Sequence, residues 1–431
     1  MPSTPDLAPV LWRNRNFVLY LSARILATLA VQMLTVTIGW HVYQLTASLV
    51  DLGLVGLFQF APLFILALAA GHVADRYSRH TIIVVCLTAQ LLCSVLLLLY
   101  TANDTAVTWP LFAVLILFGA ARAFMMPATQ AILSSLVPPQ NLSQAIALGS
   151  SGFHVAKMAG PALGGLFCLL GLVTSYSMVV SLFALSALLM LATRIHLRSH
   201  SDQAATWDTV FQGLTFIWSR PVILGALTLD LFAVLLGGAT ALLPAFAADV
   251  LQAGPGSLGL LRSAPGFGAL LASLALTLWP ISRRVGYWMF GGVALFGLSS
   301  IALGLTTQLP SALLALTLMG LGDMISVYVR QMLIQADTPD TIRGRVSAVN
   351  TVFIGASNEL GEFESGLSAE KFGLVHALLL GGMATLAITL LWAWRLPMLR
   401  RLDRFPHAAV ATVPIAAASP VPSKTVVGGG K

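Results

Sequence analysis

The chain has 431 residues, of which 57% are hydrophobic and only 9% charged, with a mean hydropathy of +0.88. Soluble domains carry roughly 25% charged residues, so a soluble globular fold is excluded, and the net charge of +7 reflects membrane topology rather than nucleic-acid binding. Cys86, Cys93 and Cys168 all lie within apolar runs, where they act as packing residues rather than disulfide partners or metal ligands.

The first 16 residues carry Arg13 and Arg15 and lead into an apolar run over 17–43. That run exceeds a signal-peptide core and has no small-residue cleavage site, so it remains as the first span. Crossing a hydrocarbon core of ~30 Å takes about 20 helical residues. Runs of that length follow near 52–73, 81–101, 110–135, 141–168, 171–193, 221–248, 257–279, 285–305, 311–335, 343–368 and 372–396. The expected fold is an all-α integral membrane protein with twelve transmembrane helices in two six-helix halves, 17–193 and 221–396. A polar linker, 194–220, joins them. The tail over 397–431 is rich in Ala, Pro, Val and Gly from His407 onward, which predicts disorder. Trp40, Tyr43, Trp109, Trp218, Trp279, Trp288, Trp392 and Trp394 fall near span ends, as interfacial aromatics do.

Alternate assignment of the loops puts seventeen Lys and Arg on one side and Lys371 alone on the other. Because Lys and Arg collect on the cytoplasmic side, both termini and the linker are expected there. The localisation that follows is the bacterial inner membrane. Alkaline phosphatase fused after Thr105 should therefore be active, and fused after Ser199 inactive. The opposite pattern would invert the topology.

Between the second and third spans lies Gly71-His72-Val73-Ala74-Asp75-Arg76-Tyr77-Ser78-Arg79-His80. An ordinary basic loop explains its arginines but not Gly71 and Asp75 at their spacing. The decapeptide resembles the G-x-L-A-D-R-x-G-R-[RK] signature of the major facilitator superfamily, with departures at Val73, Ser78 and His80. The resemblance implies two pseudo-symmetric halves around a central site. It also implies a gating role for Gly71, Asp75, Arg76 and Arg79, with Asp75 and Arg79 holding the cytoplasmic ends together in the outward-open state.

The halves read as repeats. An offset of 201 places Gln130 on Gln331, Pro138 on Pro339, Gly160 on Gly361 and Gly165 on Gly366, and one of 206 places 52–54 on 258–260. The same offsets set Arg24 against Asp230 and Arg122 against Asp323. Ionisable groups within spans are costly and face a cavity or a partner. The fifth span adds His154 and Lys157, three apart and on one face, and the eleventh adds Glu359 and Glu362, likewise three apart, with Glu364 on a neighbouring face. The first half thus presents bases and the second acids, Arg262 and Arg330 excepted. Interhelical salt bridges that only fix packing are the alternative reading of each residue taken singly.

Residues 344–350 and 355–366 resemble the tenth loop and eleventh helix of the drug/proton antiporter subfamily that includes the enterobactin (siderophore) exporters. Gly160, Pro161, Gly164 and Gly165 match the G-P-x-x-G-G part of the antiporter motif. A helix-packing site of the GxxxG type reads equally well there. Many relatives carry an acid midway along the first helix, whereas 27–34 has none, so if protons drive this protein their carrier is expected in the second half. Residues 254–259 match GxGxxG but sit in a short loop with no strand before them, so no dinucleotide site is expected. There is no Walker A lysine motif, HExxH or GxSxG.

The resemblance implies a proton-coupled exporter of a small amphipathic molecule such as a siderophore, working as a monomer by alternating access. It would partner the bilayer, a small-molecule substrate and protons, with no cofactor, metal or nucleic acid. Proton coupling falls to Asp230, Asp323, Glu359, Glu362 and Glu364. Substrate contact falls to Arg24, Arg122, His154, Lys157 and Arg330. Multidrug efflux and lysophospholipid flipping are the alternatives within transport, and a membrane-embedded transferase is the distant one.

Overall fold

The computed structural model describes residues 8–103, 107–193 and 214–405. The expectations for both termini, Asp104, most of the linker and the tail lie outside the described residues. So does the side chain of Asp75.

After a short leading helix, Ala8–Arg13, twelve helical segments of span length follow among the described residues: α1 Arg15–Thr46, α2 Leu49–Arg76, α3 Arg79–Ala102, α4 Trp109–Leu136, α5 Leu142–Leu169, α6 Leu172–Leu191, α7 Pro221–Gly237, α8 Pro255–Leu278, α9 Val285–Leu305, α10 Leu309–Asp337, α11 Asp340–Phe372 and α12 Leu374–Arg395. Local chemistry sets the ends. Asn14 accepts from the Phe17 amide at 3.2 Å, and its Nδ2 donates to the Leu136 carbonyl at 2.9 Å, tying the start of α1 to the end of α4. Ser48 and Ser78 cap α2 and α3, and prolines open α4, α7, α8 and α10. The tight connections α5–α6 and α11–α12 turn on Gly171 (φ 107°) and Gly373 (φ 87°), conformations that suit glycine.

α7 does not run straight to its end. After Gly237 the chain passes through a 3-10 turn, Ala239–Leu242, a short helical turn, Leu243–Ala245, and a π turn, Phe246–Val250. Gly238 lies against the α11 backbone at Gly361, and Pro244 has no amide to continue a ladder. The Thr240 carbonyl accepts the Leu243 amide within this turn and keeps a second lone pair, which the site below uses.

Packing repeats in register. α1 packs on α5 and α6, α2 on α4, and α3 on α4 and α6. The same partnerships recur six helices later among α7–α12. Two seams join the halves, α2 on α11 and α5 on α8. The repeat holds at single contacts. A Cβ on Gly119 would strike the Gln59 carbonyl, and one on Gly320 the Pro265 carbonyl. Gly165 abuts Pro255 and Gly259 as Gly366 abuts Leu49 and Gly53. Each such pair is related by the offsets of 201 and 206 residues.

Among the described residues, ten spans are long and apolar enough to cross a membrane by length and composition. The two long helices outside that set are α5 and α11, which carry His154 and Lys157 on one and Glu359, Glu362 and Glu364 on the other. α5 lies between α1 and α8, and α11 between α7 and α2, so neighbouring helices shield their polar faces from lipid. Trp109, Trp218, Trp279 and Trp394 are at least 69% exposed near helix ends, as an aromatic belt requires. Trp40 differs. It is buried in a cluster with Leu243, Phe246 and Leu258, because α1 packs there against the broken end of the second half.

Candidate substrate and coupling site

Glu359 and Glu362 converge on one point of α2. A Cβ built on Gly56 would lie 2.8 Å from Glu362 Oε2 and 3.1 Å from Glu359 Oε2, so both carboxylates occupy the space a side chain would take. The Thr240 hydroxyl donates to Glu362 Oε1 at 2.9 Å. Arg262 on α8 donates from Nη2 to the Thr240 carbonyl at 3.4 Å, sharing it with the Leu243 amide, and its charge acts on both glutamates. Arg122, from α4 of the opposite half, acts on Glu359. Arg262 Nε is buried and has no hydrogen-bond partner among the described residues. Two acids, Arg262 and Thr240 thus gather where α2, α8, α11 and the turn after α7 come together, with Arg122 of α4 within electrostatic reach of Glu359.

Gly56→Ala tests this geometry. Its methyl group displaces both carboxylates, and misplacing charged groups by about an ångström costs up to ~10² in rate. We expect correct insertion with transport reduced roughly tenfold or more in proteoliposomes. Wild-type flux in this variant would show that the acids need no fixed position.

Asp230 has a different setting. Its carboxylate accepts from Ser326 Oγ at 3.0 Å and forms an ion pair with Arg330. All three residues are buried within the second half, Arg330 being 2% exposed. Asp323 lies close enough to feel Asp230 and Arg330 and, across the halves, Lys157. Lys157 and His154 are exposed on one face of α5, and the reach to Asp323 turns that face toward the second half. Arg24 stands beside them, its guanidinium 5.8 Å from the centroid of Phe153, whose ring meets His154 edge-on. Glu364 is apart from this group and accepts from Ser368 Oγ at 2.5 Å on its own helix.

The antiporter-motif glycines serve two interfaces. Gly160 faces Leu29 and Gln32 and Gly164 faces Met33, all on α1, while Gly165 faces α8 across the seam. In the gating stretch, Arg76 ends α2, Tyr77 and Ser78 form the loop, and Arg79 opens α3. Gly71 is a half-buried residue of α2.

Contacts between the halves gather toward one end. Along α5–α8 they run from Met158–Gly266 through Pro161–Gly259 to Leu169–Gly256, and along α2–α11 from Phe60–Gly355 to Leu49–Gly366. Tyr43 on α1 donates to Asp249 on the π turn, clasping the same end. This is the arginine-poor end. Gly56, Thr240 and the Tyr43–Asp249 clasp carry no motif. A trace of the site was present in sequence, because the 206-residue offset sets Gly56 opposite Arg262.

A family profile described as transmembrane secretion effector matches residues 4–421. The multidrug efflux pump Tap of Mycobacterium tuberculosis is 27% identical over 409 residues, covering 91% of this chain and 96% of the pump. The enterobactin exporter EntS of Shigella boydii is 24% identical, covering 90% and 94%. Among solved structures, a bacterial homologue of the human lysosomal transporter Spinster, inward-facing and unoccupied, superposes with a TM-score of 0.67 at 16% identity, covering 92% and 97%.

Proposed function

Because the chain belongs to the transmembrane secretion effector family of the major facilitator superfamily, and is therefore a multi-pass membrane transporter rather than an enzyme, we propose that it exports a small amphipathic molecule in exchange for protons. The observation that carries this reading is the convergence of Glu359 and Glu362 on Gly56 between Arg262 and Arg122. Ionised, the pair accepts hydrogen bonds or a cationic group from a substrate. Protonated, it loses that capacity. Substrate and proton therefore exclude each other there, which is the condition for exchange. Arg24, His154 and Lys157, on the face that reaches toward Asp323, add positive charge or donors. They suit the anionic portion of a catecholate or carboxylate chelator.

The arginine distribution supports a reading with both termini in the cytoplasm of a bacterial inner membrane, in which the end where the halves touch is periplasmic. On that reading the conformation is inward-facing. The Glu359–Arg122 attraction crosses the halves and favours this closed outer end, and protonation weakens it. One chain supplies both halves of the site, which supports a transporter that works as a monomer.

The test uses proteoliposomes with an imposed pH gradient, a pH-sensitive dye inside, and two probes: ethidium and a tris-catecholate chelator. Accumulation of the chelator coupled to opposite proton movement is expected. Coupled movement of ethidium as well would extend the range to multidrug efflux, the activity of the Tap relative. Flux indifferent to the gradient, or proton and substrate moving together, would contradict exchange.

A further inference from the structure

A cavity of about 480 Å³ opens between α7 and α12 at the arginine-bearing end of the bundle, away from the central site. Leu224, Gly225 and Thr228 line it from α7, and Leu391, Trp392 and Arg395 from α12. Its walls are apolar. Trp392 Nε1 donates to Thr228 Oγ1 at 3.0 Å, so these two polar groups satisfy each other. Leu396 lies over Gly225 and closes the floor.

The mouth carries a cation. Arg395 is exposed and has no carboxylate partner among the described residues, its guanidinium resting 5.3 Å from the Trp394 ring centroid. Arg220, at the start of α7, is by contrast paired with Asp337 at 3.7 Å. Leu390 and Trp394 beside the mouth are 72% and 70% exposed, so the cavity opens sideways onto lipid at the level of the aromatic belt. Arg400 and Arg401 follow within two turns.

We infer that this groove binds an anionic phospholipid, with an acyl chain between α7 and α12 and the headgroup phosphate on Arg395. The chemistry selects that occupant. A hydrophilic anion finds no further donor inside the groove, and a zwitterionic lipid leaves the field of Arg395 only partly compensated. Basic pockets between transmembrane helices bind anionic headgroups in this manner. The inference does not depend on proton coupling or on the exported substrate.

Native mass spectrometry of the full chain, purified from a mixture of phosphatidylglycerol and phosphatidylcholine, reads the retained lipid. Phosphatidylglycerol should be retained over phosphatidylcholine. Arg395→Gln should lower its retention about fivefold, the ratio that one basic side chain near an anionic surface supplies, while Arg395→Lys preserves it. Leu391→Trp, which fills the groove from its exposed side, should remove the lipid without changing oligomeric state. Arg401→Gln, outside the groove, should retain the wild-type amount. Unchanged retention in Arg395→Gln would overturn the assignment. An equal loss in Arg401→Gln would overturn it too, by reducing the effect to general surface charge.

Discussion

Glu359→Gln and Glu362→Gln should each abolish proton-driven net export while leaving the protein folded and inserted. Glutamine keeps the shape of the side chain against Gly56 and a carbonyl for the Thr240 hydroxyl, so packing is retained. What it loses is the alternation of charge. Couplings between conformational states are typically ~1–3 kcal/mol, so removing the charge that Arg122 attracts across the halves shifts the balance between outer-closed and outer-open states by roughly 5- to 150-fold. Net accumulation under a pH gradient should fall by a comparable factor, and dye-reported proton movement with it. Glu364→Gln should be milder, since its partner Ser368 is on the same helix. If both glutamine variants of the Gly56 pair accumulate substrate like wild type, these carboxylates are structural. Asp323, within reach of Lys157, then becomes the better carrier.

The second large effect is on stability. Asp230→Ala strips Arg330 of its counterion at a position 2% exposed and leaves the Ser326 hydroxyl without its acceptor. Breaking a buried pair by removing one partner costs ~3–5 kcal/mol, whereas replacing both by apolar groups of similar volume is often neutral. Asp230→Ala should therefore give little folded protein and a sharply lower unfolding temperature in detergent. The double variant Asp230→Leu with Arg330→Met should recover most of the loss and still couple flux to protons. Recovery of stability without coupling would assign Asp230 to proton transfer. Wild-type stability of Asp230→Ala would show that Arg330 has another partner.

Much of the fold was legible because the membrane imposes it. Span length, alternation of arginine-bearing loops and the two offsets all report the same bundle, and the offsets recur as contacts at Gly119 and Gly320 and at Gly165 and Gly366. The site was legible only in part. Spacing of three correctly set Glu359 and Glu362 on one face, but a sequence does not state what that face meets. Gly56 is silent because its role is to be absent, and Thr240 reaches the site from a 3-10 turn that follows the end of α7 at Gly237. Arg330 and Asp230 read as cavity groups from their position within spans, yet the structure turns them toward each other. Intramembrane charge marks where a partner is needed, and the helix crossing decides which partner it is.

The central claim is that ionised Glu359 and Glu362 hold the arginine-poor end closed and that protonation releases it. Pulsed spin-label distances test it most directly. Leu170→Cys with Gln308→Cys spans the halves at the arginine-poor end, and Gln140→Cys with Arg283→Cys spans them at the other, all four sites being exposed in loops or turns. The native cysteines Cys86, Cys93 and Cys168 are buried. On acidification the Leu170–Gln308 distance should lengthen and the Gln140–Arg283 distance shorten, and Glu359→Gln with Glu362→Gln should produce the same shift without acid. Distances that ignore pH, or that change in the same direction at both ends, would contradict the account.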